Sequence, residues 1–260
     1  MGVKEAVQER FGRAAAQYAV SRTHAEGRDL ATLVAAAPLS GARGAARLLD
    51  VGTGAGHTAF AFAPLVAEVE ALDLTQEMLD QVERGARERG LSNIHCQLGD
   101  AEDLPYPDDA FDVVTSRLCA HHFQDVPSFV REVARVLRPN GTLLLMDSMA
   151  PEDAVHDTFF NAFELLRDPS HARNHSLSEW RAMLGEAGFE TEPLGEWMLD
   201  QEFEAWVERI DTPPTAVAHL RFMFENADER TREAFAIETV DGRITSVGIP
   251  SRAVRATLGS

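Results

Sequence analysis

Residues 48–57, LLDVGTGAGH, set a short apolar strand ending in an acid directly against three glycines, Gly52, Gly54 and Gly56. Glycine accepts left-handed backbone and carries no Cβ, so the chain can turn sharply from strand to helix here while its backbone closes on a ligand. This is the opening unit of a doubly wound α/β sheet. The spacing narrows the ligand further. In the dinucleotide fingerprint the third glycine follows the second by three residues, whereas here His57 holds that place and Gly56 comes one residue earlier. That departure argues against a pyrophosphate seat.

The rest of the chain continues the same alternation. Strand-length apolar runs at 47–51, 68–74, 94–98, 111–116 and 142–147 are separated by helical patterns, which predicts a mostly parallel sheet covered by helices. Residues 126–137 read as a helix stopped by Pro139 and the Asn140-Gly141 turn. Ahead of the glycine loop, residues 7–37 look helical, with Phe11, Ala15, Tyr18, Leu30, Leu33 and Val34 available for an apolar face. Beyond residue 150, 189–201 can supply a strand, and 202–236 is mainly helical with a break at Pro213-Pro214. Asp241-Gly242 marks a hairpin between 237–240 and 244–247. No repeat, low-complexity tract or flexible linker interrupts the sequence. One domain is expected, with a helical leader at 1–45, a cofactor-binding core at 46–150, a helical substrate cap with one strand at 151–235 and C-terminal strands at 236–260.

Composition sets outer limits. At 260 residues, 45% hydrophobic and 25% charged, the chain is long enough for one large core. A formal charge of −18 repels phosphate backbones, so DNA, RNA and anionic membrane surfaces are poor partners. A solvated acidic surface explains that charge without any partner. Cys96 and Cys119 are too few for a disulfide framework and lack zinc spacing. No metal is implied, because no histidine and carboxylate set has convincing ligand spacing. The amino terminus has acids and no apolar signal core, Ala6 breaks the myristoylation pattern after Gly2, and no run approaches the roughly twenty apolar residues that span a bilayer. These features predict a cytoplasmic protein with a small-molecule partner, and they leave a homodimer open.

With Asp50 just before the loop, LLDVGTGAGH resembles motif I of the class I S-adenosylmethionine-dependent methyltransferases. The resemblance implies that Asp50, Gly52, Thr53, Gly54 and Gly56 form the seat for the amino acid end of the cofactor. Asp73, roughly twenty residues past the loop at the end of the second strand, is placed to accept from both ribose hydroxyls, with Leu74 beside it. Capping the following helix is the other reading of Asp73, and Thr75 is also a plausible cap. After the third strand, Gly99-Asp100-Ala101 matches the family segment that flanks adenine, with the acid and the Ala101 amide reaching the base. At the end of the fourth strand, where nucleobase methyltransferases resemble one another in an Asn/Asp-Pro-Pro-aromatic motif, this chain has Ser116-Arg117-Leu118-Cys119. With the acidic charge, that difference favours a small-molecule acceptor, with Ser116 beside the cofactor and Arg117 near the substrate.

His121 and His122 follow, and either could take a proton from a phenol, enol or similar nucleophile. Neighbouring residues on a helix seldom point one way, so at most one is expected to face the substrate. Methyl transfer also proceeds without a base when alignment supplies the acceleration. A second cluster, residues 166–180, concentrates Arg167, His171, Arg173 and His175 in an otherwise acidic chain. This suits a carboxylate or phenolate substrate, or it is a set of salt bridges to acids such as Asp168 and Glu179. Ser176 or Ser178 can cap the helix that follows, and Gly188 ends it.

From the glycine loop to Phe189 the chain resembles the small-molecule methyltransferases related to the C-methylating enzymes of ubiquinone and menaquinone synthesis. The segments LPYPDDAFDVV and REVARVLRPNGTLLLMD carry that likeness, while RDPSH with AHHF is similar to an uncharacterised bacterial subgroup. The implied fold is a Rossmann-like, seven-stranded, mostly parallel sheet with helices on both faces and an antiparallel C-terminal edge strand. The implied chemistry is methyl transfer from S-adenosylmethionine to a small molecule, yielding S-adenosylhomocysteine. A nicotinamide-dependent oxidoreductase and a non-catalytic module that binds S-adenosylmethionine are the two alternatives. The acceptor and the methylated atom are not legible.

Overall fold

The computed structural model describes residues 2–19, 27–39 and 44–259. Helix α1 (Val3–Ala19) and helix α2 (Arg28–Ala36) form the leader. Residues 20–26 and 40–43 of the expected leader, and the side chain of Tyr18, lie outside the described residues. The alternating core follows as β1 (Arg47–Val51), α3 (His57–Phe62), β2 (Glu68–Asp73), α4 (Gln76–Arg89), β3 (Ile94–Leu98), β4 (Phe111–Arg117), α5 (Val126–Val136) and β5 (Leu137–Ser148). Then come α6 (Ala154–Arg167), α7 (Leu177–Glu186), β6 (Phe189–Glu202), α8 (Phe203–Glu208), α9 (Pro214–Glu225), α10 (Glu229–Ala234), β7 (Glu238–Val240) and β8 (Arg243–Leu258). The sheet runs β3-β2-β1-β4-β5-β8-β6, with the short β7 pairing on β8.

Successive strand residues face opposite sides, so a strand covered on both sides must be apolar at every position. Leu48, Val113, Leu144 and Met146 pack on one face with Leu33 of α2, Phe62 of α3 and Val82 of α4. Their sequence neighbours Leu49, Val114, Leu143 and Leu145 pack on the other with Phe129 and Val133 of α5 and Trp180 of α7. Each leucine so buried contributes roughly 1.5–3 kcal/mol. Strands β1, β2, β3, β4 and β5 are mutually parallel, and β8 runs antiparallel to both β5 and β6. The sheet is therefore mostly parallel with an antiparallel strand toward one edge. β8 lies one place inside that edge, and β6 is outermost.

The C-terminal strand is far longer than the 244–247 run visible in the sequence. Its second half pairs with β5, from Thr142↔Thr257 to Ser148↔Ser251, and β6 pairs with almost its whole length, from Phe189↔Leu258 to Glu202↔Ser246. Polar and proline residues such as Arg252, Arg255 and Pro250 hide this run from any periodicity, and neighbouring strands supply the pairing instead. The β6–β8 ribbon thus extends past β5, and its overhang carries a third, aromatic cluster of Phe160, Phe163, Phe203, Trp206, Phe224 and Phe235. The expected hairpin turn is present. Val240 pairs with Arg243 while Asp241 and Gly242 hold φ 51° and 75°, a two-residue turn that matches strand twist. The Ser176 hydroxyl and the Glu179 carboxylate cap α7 reciprocally, and Gly188 follows that helix at φ 89°. Among the described residues no helix is long and apolar enough to cross a membrane.

Candidate active site

The carboxyl ends of β1, β2 and β4 open on a cleft of about 1000 Å³. Gly52, with φ 66°, passes so close to the turn after β4 that an added Cβ would stand 2.6 Å from Cys119 Sγ. Gly54, with φ 53°, has open space where its Cβ would lie, and its amide donates to Asp73 Oδ2 at 2.9 Å. Asp73 Oδ1 accepts from the Thr75 amide at 2.9 Å, so one carboxylate both pins the loop and starts α4. Burial raises its pKa against the pull of those two amides. Gly52, Thr53, Gly54, Asp73, Leu74, Asp100 and Ala101 all line the cleft, as the sequence predicts.

Three other expected cofactor residues do not line it. Asp50 is buried behind the loop, where Oδ2 accepts from Thr53 Oγ1 and Oδ1 from Thr115 Oγ1, both at 2.7 Å. Burial lifts its carboxyl to about 6, against the lowering effect of the two hydroxyls. Gly56 is the N-cap of α3, with φ 89° and an added Cβ 2.8 Å from Phe60 Cζ, so it shapes the turn from below. Ser116 is fully buried, with Oγ 3.2 Å from Cys119 Sγ. All three hold the loop in place, because strand β1 ends deep in the sheet and this segment meets the opening through residues 52–55 with His57 and Thr58. Arg117, expected near the substrate, lines this cleft and pairs with buried Asp29, Nε to Oδ2 at 2.5 Å.

Helix α1 closes the cleft from above. Lys4, Val7 and Phe11 line it, and Lys4 Nζ reaches Asp100 Oδ2 at 2.5 Å and Glu102 Oε2 at 2.6 Å. Burial opposes the charge on Lys4, but the two carboxylates outweigh it and its pKa is raised. The sequence marks a helical leader without identifying Lys4, because nothing in a helical repeat shows which residue meets a loop nearly a hundred positions away.

A second cavity of about 760 Å³ adjoins the first, and Phe11, Leu118 and His122 line both. Its other walls include His121, Glu164, Arg167, His171, Gln201, Trp206 and Arg209. His121 and His122 thus both line this cavity. They lie in a single 3₁₀ turn, Ala120–His122, instead of an α-helix, and their rings pack 4.2 Å apart. His121 Nδ1 is 2.6 Å from Asp147 Oδ1, at the carboxyl end of β5. Burial opposes a charge on His121, but the Asp147 carboxylate outweighs it and raises the pKa. His122 Nδ1 donates to the Ser170 carbonyl at 3.0 Å, which leaves the lone pair on Nε2. Burial, then the neighbouring His121, lowers its pKa to about 4.

Arg167 and His171, expected at the substrate, line the second cavity, but their positive potential is already matched. Arg167 Nε donates to the Trp206 carbonyl at 3.2 Å, its guanidinium stacks 4.6 Å from the Trp206 ring, and Nη1 is 3.6 Å from Glu164. His171 Nε2 donates to Asn161 Oδ1, and burial holds its pKa far down. Arg173 lines neither cavity. It bridges Asp157 at 3.0 Å and Glu179 at 3.2 Å, so the salt-bridge reading applies there. The aromatic residues of the helical cap divide: Trp206 lines the second cavity, Phe224 is core and Phe222 is exposed. Sequence reasoning missed Asp147, although an acid closing a buried parallel strand was a usable signal. Glu164, Gln201 and Arg209 gave none. Among the described residues no cluster of three or more His, Cys, Asp or Glu side chains is arranged to hold a metal.

Comparison with known proteins decides the family. A signature described as a methyltransferase domain matches residues 49–145. The uncharacterized methyltransferase YcgJ of Bacillus subtilis is 42% identical over 227 residues, which is 87% of this chain and 88% of YcgJ. The chain belongs to the methyltransferase family. Its enzyme class is S-adenosylmethionine-dependent methyltransferase, and S-adenosylmethionine is its cofactor. That sets aside the nicotinamide alternative. The crystal structure of YcgJ superimposes on this methyltransferase with a TM-score of 0.86, covering 89% of this chain and 98% of that one. A putative methyltransferase from Bacillus halodurans, 38% identical, gives 0.85 over 90% and 100%. The ubiquinone/menaquinone biosynthesis C-methyltransferase UbiE of Vibrio parahaemolyticus is 35% identical over 135 residues, 49% of this chain and 51% of UbiE. That likeness covers only about half of either protein.

Proposed function

We propose that this methyltransferase methylates a small-molecule acceptor seated in the second cavity. The observation that carries this reading is the junction at Phe11, Leu118 and His122, where the two cavities share a wall. S-adenosylmethionine supplies a methyl group on a sulfonium that needs no further activation to leave. In this reading the bare face of Gly54 lies under the amino acid end, with Gly52 and Thr53 beside it. Asp73 accepts from the ribose hydroxyls with the oxygen lone pairs that the Gly54 and Thr75 amides leave over. Asp100 and the Ala101 amide recognise adenine, so Asp100 exchanges or shares its Lys4 contact on binding.

The junction residues have properties that suit this use. Leu118 holds φ 55°, a conformation costly for a branched side chain and found at functional turns. His122, with its pKa near 4, stays neutral beside a cationic sulfonium and adds no repulsion. The parts of the chain then divide by role into leader, cofactor core, substrate cap and closing strands within one domain. A cytoplasmic setting agrees with two separate free cysteines.

The test uses tritium-labelled methyl donor with a metabolite extract. Label should enter low-mass products, and incorporation only into protein or nucleic acid would overturn the small-molecule reading. Leu199→Trp, which fills the second cavity from the β6 side, should reduce labelling at least tenfold while donor affinity by calorimetry stays within about threefold.

A further inference from the structure

His121 differs from every other imidazole on the second cavity. Its Nδ1 is committed to Asp147 at 2.6 Å, and Asp147 is itself held by the Ser148 amide at 2.8 Å and the His121 amide at 3.2 Å. Asp147 is 1% exposed, so its charge is undiluted by solvent and fixes both the tautomer and the orientation of the ring. The opposite nitrogen, Nε2, belongs to a side chain that remains 18% exposed and lines the cavity. His122 and His171 are poor proton acceptors by contrast, because burial and the positive field of His121 keep both neutral. Around His121 stand Asp147 on β5, Glu164 on α6, Asp168 after α6, and the His122 and His171 rings. The three acids favour its charged form.

We propose that the acceptor carries an ionisable hydroxyl on a conjugated system, a phenol or an enol, and that His121 takes its proton, with Asp147 as the positioning residue. This rests on the second cavity being the acceptor seat. The hydroxyl proton passes to His121 Nε2, and the oxygen, or the carbon conjugated to it, forms a bond to the methyl carbon. The pair of the broken sulfur–methyl bond returns to sulfur, and the proton leaves from the imidazolium to solvent. A carboxylate acceptor has no such proton to give, and a free amine attacks before it needs to lose one. A buried carboxylate–imidazole pair suits the hydroxyl class, in which the nucleophile strengthens as its proton leaves.

Binding gives the first readout. With S-adenosylhomocysteine present, 4-nitrophenol added below its own pKa should show its phenolate absorbance on the wild-type enzyme and lose it on His121→Gln. A bound phenol that stays protonated on the wild type, or stays ionised on His121→Gln, overturns the proposal. Exclusion of 4-nitrophenol by Leu199→Trp separates the two readings. If that variant binds it as tightly as wild type, the seat itself is misplaced, whereas exclusion with a protonated wild-type complex defeats only the hydroxyl assignment. Kinetics give the second readout. Methylation of 4-methylphenol should fall about 100-fold or more in His121→Gln, while 4-nitrophenol assayed in its ionised form should lose less than about tenfold. Equal losses would overturn the base role, and calorimetry with S-adenosylhomocysteine confirms that the variant is folded. Asp147→Asn should move the acid limb of the kcat profile to lower pH, and an unmoved limb would remove Asp147 from the arrangement.

Discussion

The two cavities are built by different means. The wall of the first cleft, the proposed cofactor seat, is largely backbone and short side chains from strand ends, so each piece sits where its own strand stops. The second cavity is walled by long side chains drawn from α1, the 3₁₀ turn, α6, β6, α8 and β8, and apart from β6 and α8, which adjoin at Glu202, no two of these follow one another directly in sequence. The first can be shared by enzymes with unrelated acceptors, because strand order alone positions it. In the proposed reading, specificity falls to the aromatic cap, which the β6–β8 overhang holds above the same sheet.

The largest effect expected is on the cap. Phe163→Ala should remove about 3–5 kcal/mol of unfolding free energy, since its ring is fully buried among Phe160, Trp206, Phe224 and Phe235. If the two regions are as separable as their construction implies, calorimetric affinity for S-adenosylhomocysteine changes by less than about threefold. Affinity that falls in step with stability would break the comparison. On the other side, Gly52→Ala combines a left-handed φ with a Cβ 2.6 Å from Cys119 Sγ, so about 1–3 kcal/mol of strain is expected, with donor affinity reduced more than tenfold. Phenol uptake in the second cavity should be less affected than donor binding.

Asp73→Ala should weaken donor binding by about 1–3 kcal/mol, because it removes the proposed ribose acceptors and leaves the Gly54 and Thr75 amides without theirs. Calorimetry showing unchanged affinity would remove that role. The smallest effect is a pH dependence confined to the second cavity. The pKa of His121 is raised by Asp147 in the folded protein, so its contribution to stability is fully present below the unfolded histidine value and disappears as pH rises through the folded one. The stability gap between wild type and His121→Gln, followed by chemical denaturation, should therefore narrow from mildly acidic to alkaline pH. A gap that widens would contradict the raised pKa.

How much was legible follows the same division. The five parallel strands, the loop glycines, Asp73 and the Asp100-Ala101 segment were readable because each rests on residues near one another in sequence. Even there, Asp50, Gly56 and Ser116 were assigned to the cleft when they support it from behind, since a motif marks a segment without saying which of its side chains face outward. Arg173 and Arg167 looked like a concentration of free charge in one dimension. In three, Arg173 meets Asp157 and Glu179, while Arg167 meets Glu164 and the Trp206 ring.

The sequence by itself determined the order of strands and helices, the glycine turn and the cofactor that suits it, because hydrophobic period and backbone freedom act over a few residues. The tertiary structure alone decided that His121 stands on Asp147, that His122 bridges the two cavities, and that β8 runs on to carry the cap. Those relations join positions 26 to more than 100 residues apart, and only the packed sheet brings them within contact.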